Sequence, residues 1–175
     1  MPETGVDIRV VRSPVDAEAV RELVWEFFDY LRYDFPDRGE MIDKYLQVQN
    51  VAAELAELLQ RFVPPDGECL LALLDGKPVG TLMLKRIDDD ICEMNRMWVK
   101  SEARGRGAGR ELIEALCDRA REMNFQFMRL EALDERIPAV PLYQKLGFVT
   151  NPDRSPYATQ DQRVIALIKT LRENK

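Results

Sequence analysis

The 175-residue chain contains no histidine. That absence removes Ser-His-Asp hydrolases, Cys-His proteases and most histidine-based metal sites, leaving acid–base chemistry to Glu, Asp, Tyr, Lys, Cys or water. Cysteine is scarce as well. Cys69, Cys92 and Cys117 are odd in number, far apart, set in apolar stretches and without a CxxC pair, so the expectation is three reduced core thiols, with no disulfide framework and no metal. No apolar run approaches the ~18–20 residues that cross a bilayer, and MPETGVDIRV lacks the basic start and apolar stretch of a secretory leader. The expected location is cytoplasmic, with no membrane partner. Repeats, low-complexity tracts and linkers are also missing, which implies one domain over residues 1–175. A net charge of −6 and a pI near 4.9 suit nucleic acid poorly, because phosphate contacts need a positive surface. The overall field favours cationic small molecules instead.

What the chain does contain is alternation of strand and helix signals. Val6–Val11 alternates as a strand. Ser13-Pro14-Val15-Asp16 supplies an N-cap, a first-turn proline and an acid three residues after the cap, and opens a helix with Val20, Leu23, Val24, Phe27 and Leu31 on one face. A second helix is predicted over residues 40–61, its buried stripe running Met41, Tyr45, Val48, Ala52, Leu55, Leu59 and Phe62. Residues 68–74 and 79–87 read as a hairpin around Asp75-Gly76-Lys77. A strand over residues 91–99 leads through a glycine-rich loop into a helix carrying Leu112, Ile113, Leu116, Cys117 and Ala120. A strand at 127–133, a short helix at 139–146 ending at Gly147, and strands at 148–149 and 164–171 complete the order.

The chemistry-bearing stretch is Arg104-Gly105-Arg106-Gly107-Ala108-Gly109, between a strand and a helix. Alternate glycines leave the backbone bare, and a helix N-terminus offers unpaired N–H groups and partial positive charge, which suits a pyrophosphate. Arg104, Arg106 and Arg110 reverse the sign of an otherwise acidic chain at this point. The loop lacks the GK[ST] ending of a Walker A motif, and its glycines follow GxGxG rather than GxGxxG. A flexible loop with solvated arginines is the competing reading of these six residues.

In its surroundings the loop resembles the acyl-CoA-binding motif [QR]-x-x-G-x-[GA] of the GNAT superfamily of N-acetyltransferases. It follows a strand ending in Met97-Trp98-Val99, and Leu142-Tyr143-Gln144-Lys145-Leu146-Gly147-Phe148 resembles the family's LYxxxGF segment. The resemblance implies an α/β (α+β) fold with a mixed central sheet of about six to seven strands flanked by helices. It implies acetyl-CoA as co-substrate, its pyrophosphate on Arg104, Gly105, Arg106, Gly107, Ala108 and Gly109, and its pantetheine arm along Met97, Trp98 and Val99. It gives Tyr143 the protonation of the departing thiolate. Glu93, on a strand that often carries an acid in this family, is the candidate base for the acceptor amine. A regular strand would put Glu93, Asn95 and Met97 on one face and Met94, Arg96 and Trp98 on the other.

The acceptor implied is a primary amine of a small molecule or peptide, and a homodimer is compatible because dimers are common in the family. A noncatalytic acyl-CoA sensor of the same fold is the alternative. The chain departs from the family where Arg136 replaces a frequent asparagine, and where Pro138 and Pro141 flank the last helix. The stretch from Phe27 to Asp37 mixes aromatics with aspartates and has two readings, an ammonium clamp or core aromatics beside solvated acids.

Overall fold

The protein is described here by a computed structural model, covering residues 5–173. Strand β1 (Val6–Val10) precedes helix α1 (Pro14–Asp34), whose entry is capped as expected: the Asp16 N–H donates to Ser13 Oγ at 3.1 Å. Three shorter helices follow, α2 (Gly39–Val48), α3 (Val51–Ala56) and α4 (Leu58–Arg61). Strands β2 (Gly67–Leu74) and β3 (Lys77–Arg86) form the hairpin, with Asp75 and Gly76 both at positive φ, the pairing that a tight two-residue turn requires. Then come β4 (Ile91–Val99), α5 (Ala108–Glu122), β5 (Phe127–Ala132), α6 (Val140–Lys145), β6 (Val149–Thr150), α7 (Pro156–Thr159) and β7 (Ile165–Thr170). Among the described residues these strands make a seven-stranded sheet in the order β1-β2-β3-β4-β5-β7-β6, antiparallel throughout except between β4 and β5.

Alternation along the central strands feeds two cores. On one face Leu70, Leu82, Met94, Met128 and Leu130 pack under α5 through Leu112, Ile113 and Leu116. On the other, Cys69, Leu71 and Met83 meet Val20, Leu23 and Val24 of α1 and Leu55 and Leu58 of the helices after it. Each such aliphatic side chain withdrawn from water contributes about 1.5–3 kcal/mol, which is what holds both helical layers on the sheet. The three cysteines are buried and free, as expected.

The long second helix does not form as one piece. Asn50 adopts φ 48°, a left-handed conformation that ends α2, and α3 restarts at Val51. Val48 and Ala52 of the expected stripe are exposed, whereas Ile42, Val51, Leu55, Leu58 and Phe62 are buried. Asparagine tolerates the left-handed region because its short polar side chain bonds locally. The break turns Glu54 inward, to 5% exposure.

Two irregularities in the middle of the sheet shape the functional region. Strands β4 and β5 pair only from Ile91 to Met94 against Phe127 to Leu130. Beyond Met94 the two diverge, and the edge of β4 facing β5 is open. On its other side β4 pairs with β3, and there the register slips, since Thr81 faces Trp98 while Met83 faces Asn95. The extra residue is a bulge on β4, with Arg96 at φ 54°.

Candidate active site

The bulge overturns the face assignment expected of a regular strand. Met94, Met97 and Val99 pack on the α5 side, while Trp98 belongs to the α1 side. Glu93 therefore does not share a face with Met97. It lines, with Asn95 and Arg96, a cavity of about 480 Å³ that opens where β4 and β5 part. A one-residue insertion reverses every side chain after it, and a period-two reading of the sequence cannot see it.

Around this cavity the polar groups are paired in a definite pattern. Glu93 Oε2 accepts from Arg129 Nε at 2.9 Å, and Glu93 Oε1 accepts from Asn95 Nδ2 at 2.9 Å. Arg96 is 6% exposed and donates through Nη2 to Glu54 Oε2 at 2.6 Å. Lys85 Nζ donates to the other oxygen of the same carboxylate at 2.6 Å. Tyr143, 7% exposed, reaches the cavity from α6, the helix that Pro141 enters in its first turn, where a missing N–H costs little. Burial alone pushes its phenol above the ordinary value, so at neutral pH it holds its proton. Phe27, Phe28 and Leu31 of α1 and Tyr45 of α2 supply apolar wall. Asp29, Asp34 and Asp37 stay exposed, as does Tyr33, and none of the three acids lines the cavity.

The glycine-rich loop lies at the far end of the opened strand. Gly105 and Gly107 have φ of 77° and 86°, a region closed to most side chains, and Gly107 is the N-cap of α5. The first bond into the helix is Glu111 N–H to the Gly107 carbonyl at 3.0 Å, so the N–H groups of Gly107, Ala108, Gly109 and Arg110 have no intrahelical acceptor. Arg104 and Arg106 are exposed beside this terminus. Gly109 serves a different purpose, since a Cβ there would stand 2.9 Å from Met97 Cε and 3.3 Å from Leu142 Cδ2. Its bareness lets α5 approach β4 and α6, and Met97 links the loop to the cavity it also lines. The Trp98 side chain turns away from this opening: its indole packs tilted against Tyr30, 4.9 Å between centroids, and donates to Glu26 Oε1 at 3.2 Å. The Val99 carbonyl accepts from Arg104 Nε at 3.2 Å, and the Arg104 guanidinium rests 4.9 Å from the Trp98 ring.

Sequence reasoning missed Glu54, Arg96, Asn95 and Arg129, whose meeting depends on the break at Asn50 and the bulge. It also missed an ionic cluster behind the site. Arg38, 1% exposed, donates to Asp134 Oδ2 at 2.9 Å, and Arg136 donates to both oxygens of the same carboxylate at 2.8 Å. The two guanidiniums, Arg136 foremost, hold the Asp134 carboxyl well below the usual range. Arg136 thus fastens the loop before α6 rather than facing the opening.

A sheet split between its parallel neighbours, with a bare helix start at one end of the split, is the acyl-CoA N-acyltransferase fold. The likeness to solved structures agrees: PaiA N-acetyltransferase from Thermoplasma acidophilum in complex with coenzyme A superimposes with a TM-score of 0.71 at 18% identity, over 94% of this chain and 98% of that one. Residues 18–148 match the family model described as Acetyltransferase (GNAT) family, and the chain belongs to that family. Among curated relatives, an uncharacterised N-acetyltransferase of Schizosaccharomyces pombe is 30% identical over 152 residues, 86% of each chain. The IAA acetyltransferase of Azospirillum brasilense is 34% identical over 154 residues, 86% of this chain and 88% of that one. The protein is accordingly an N-acyltransferase. Among the described residues no helix is long and apolar enough to cross a membrane, and no cluster of three or more potential metal ligands occurs.

Proposed function

We propose that this protein, acting as one domain over its whole length, moves an acetyl group from acetyl-CoA to the primary amine of a small molecule or peptide by direct attack in a ternary complex. The observation that carries the reading is continuity: an anion-ready helix start, an open strand edge and a cavity holding Tyr143 and Glu93 follow one another along β4. The residues present fit the co-substrate. The N–H groups at the start of α5, with Arg104, Gly105, Arg106, Gly107, Ala108 and Gly109, would hold the pyrophosphate. The open edge at Met97, Trp98 and Val99 would pair with the amides of the pantetheine arm as an added strand does. Acetyl-CoA, when bound, supplies the activated acyl carbon.

The chain's own residues then handle protons. An alkylammonium of pKa ~10 is mostly protonated at pH 7, and Glu93, directly or through water, takes the proton that frees its lone pair. Its carboxylate is aimed by Arg129 and Asn95. Tyr143 Oη donates to the leaving sulfur. A phenol is a weaker acid than a thiol, about 10 against about 8.5, so the proton it lends is recovered from the one the amine releases. Peptide N–H groups on the open edge of β4 steady negative charge on the acyl oxygen.

Calorimetry with CoA and thiol release from acetyl-CoA against a panel of amines test the reading together. Micromolar CoA binding that weakens at least about tenfold in Arg104→Ala/Arg106→Ala supports it, given the strength of charge-assisted phosphate contacts. Absence of both binding and thiol release in folded protein overturns it.

A further inference from the structure

We infer that the acceptor is an α-amino acid or close analogue, its carboxylate received by Arg96 and its amine by Asn95; this rests on the acetyltransferase reading above. Arg96 is almost wholly buried, lines the cavity, and spends one nitrogen on Glu54, yet its Nε and Nη1 have no hydrogen-bond partner among the described residues. Buried guanidinium N–H groups are normally satisfied, and unspent ones are charge-assisted donors suited to a carboxylate, Nη1 from the end of the fork and Nε from its side. Beside it on the bulge, Asn95 Oδ1 is a buried acceptor without a donor. Its orientation is fixed, because the other end of the amide must donate to the Glu93 carboxylate. The bulge sets these two consecutive side chains toward the same cavity, bringing unpartnered donors next to a lone acceptor. An α-amino acid presents the complement, a carboxylate one carbon from an ammonium, and it places that ammonium beside Glu93.

Charge points the same way. The cavity is lined by Lys44, Lys85, Arg96 and Arg129, against Glu93 and Glu131, with Glu54 set behind Arg96 and Lys85. Lys44 is exposed and donates to Gln160, and Lys85, Arg96 and Arg129 match the three carboxylates, so the cavity is near neutral within a chain of net charge −6, as suits a zwitterion. A polyamine would bring positive charge and no anion for Arg96. A peptide N-terminus would bring an amide where Arg96 needs an anion. In the reaction the acceptor nitrogen bonds to the acetyl carbon as the C–S bond breaks. Of the two protons the ammonium loses, one ends on the CoA sulfur and one in solvent.

The test is steady-state thiol release from acetyl-CoA with free amino acids, their C-terminal amides and the corresponding amines lacking the carboxylate, run beside calorimetry with CoA. The expected result is a kcat/KM at least about 100-fold higher for some free amino acid than for its amide, since a site built to hydrogen-bond a group strongly rejects the analogue without it. Arg96→Lys, which keeps the charge and loses the planar fork, should raise KM for the amino acid at least about tenfold while CoA affinity stays within about twofold. Should that variant unfold, the comparison of acid with amide in the unaltered protein still decides. Equal or better turnover of amides or of amines without a carboxylate, with CoA bound normally, overturns the inference and leaves the acetyltransferase reading standing. Failure to bind CoA overturns both.

Discussion

Removing the charge of Glu54 isolates the polar framework of the cavity from everything else. Glu54 has a side chain 6% exposed and accepts from Arg96, whose side chain is 2% exposed, and from Lys85, 32% exposed. In Glu54→Gln the amide oxygen still accepts one bond, but Arg96 keeps a full charge in the interior with no counter-ion in contact. Breaking a buried pair by deleting one partner costs about 3–5 kcal/mol, and the residual bond in glutamine places this variant near the lower end. For a chain of this size about 2–4 °C of melting temperature is lost per kcal/mol, so Tm should fall by about 6–12 °C. The control is Glu57→Gln, which removes the pair with Arg61 at 2.7 Å, both side chains about half exposed. An exposed i,i+4 pair is worth only about 0.3–0.5 kcal/mol, and the control should move Tm by less than about 2 °C. Differential scanning calorimetry at low and moderate salt measures both. The Glu54 effect should survive salt, because ions screen buried pairs weakly. A loss in Glu54→Gln no larger than in Glu57→Gln would refute the claim that Arg96 is held by a desolvated pair. Glu54→Leu/Arg96→Met should recover most of the stability, since replacing both partners by apolar groups is often neutral.

Tyr143→Phe keeps the ring against Phe148, 6.0 Å between centroids, and removes only the hydroxyl. It should lower kcat by about 10²–10⁴-fold with CoA affinity nearly unchanged, measured by thiol release and calorimetry; equal losses in both would assign the residue to packing. Burial pushes the Cys69 and Cys92 thiols up to about 12, so a thiol reagent at pH 8 should label native protein negligibly and label it fully after denaturation. Fast labelling of native protein would contradict the packed core. Asp161, pulled down to about 2 chiefly by its hydrogen bonds from Arg163, and Asp134, held lower by Arg136 and Arg38, both have folded values below the unfolded ~3.9. Their stabilisation is therefore complete above about pH 4 and lost as pH falls through 2 and below, so an acid titration of Tm should steepen below pH 4 and steepen less in Asp161→Asn.

The elements that build the fold were legible because each carries its own local chemistry: the Ser13 cap, the Asp75-Gly76 turn, the apolar stripe of α5, and the bare loop before it. The segment after α1 was misread for an equally physical reason. Its apolar residues fit an unbroken stripe of period 3.6, and a single asparagine in the left-handed region carries little signal against twenty helical residues. That one conformation decides whether Glu54 lies in solvent or under the sheet. The face of β4 was lost in the same way, because alternation is an assumption of regular pairing and the bulge is a property of two strands together. Tyr143 and Glu93, singled out from sequence, do line one cavity. Their neighbours Arg96, Asn95 and Arg129 were invisible until the strands were assembled.

Net charge acts on a different scale from the charges that line the cavity. An overall −6 favours cations at long range, where fields sum over the whole surface and decay within a Debye length of about 8–10 Å. A ligand already inside the cavity responds instead to the few groups that water screens less, Lys85, Arg96 and Arg129 against Glu54, Glu93 and Glu131. The acids that dominate the composition, such as Asp29, Asp34 and Glu57, lie exposed on the helices outside. The two scales act on different steps. The outer field slows the approach of an anion such as CoA, while contacts at the site hold what arrives. Added salt should therefore raise the association rate of CoA, while its retention on the exposed Arg104 and Arg106 weakens. A rate of CoA association that falls steeply with salt would mean that the exposed arginines of the loop, Arg104 and Arg106, override the acidic surface locally and that the approach path is positive from the start.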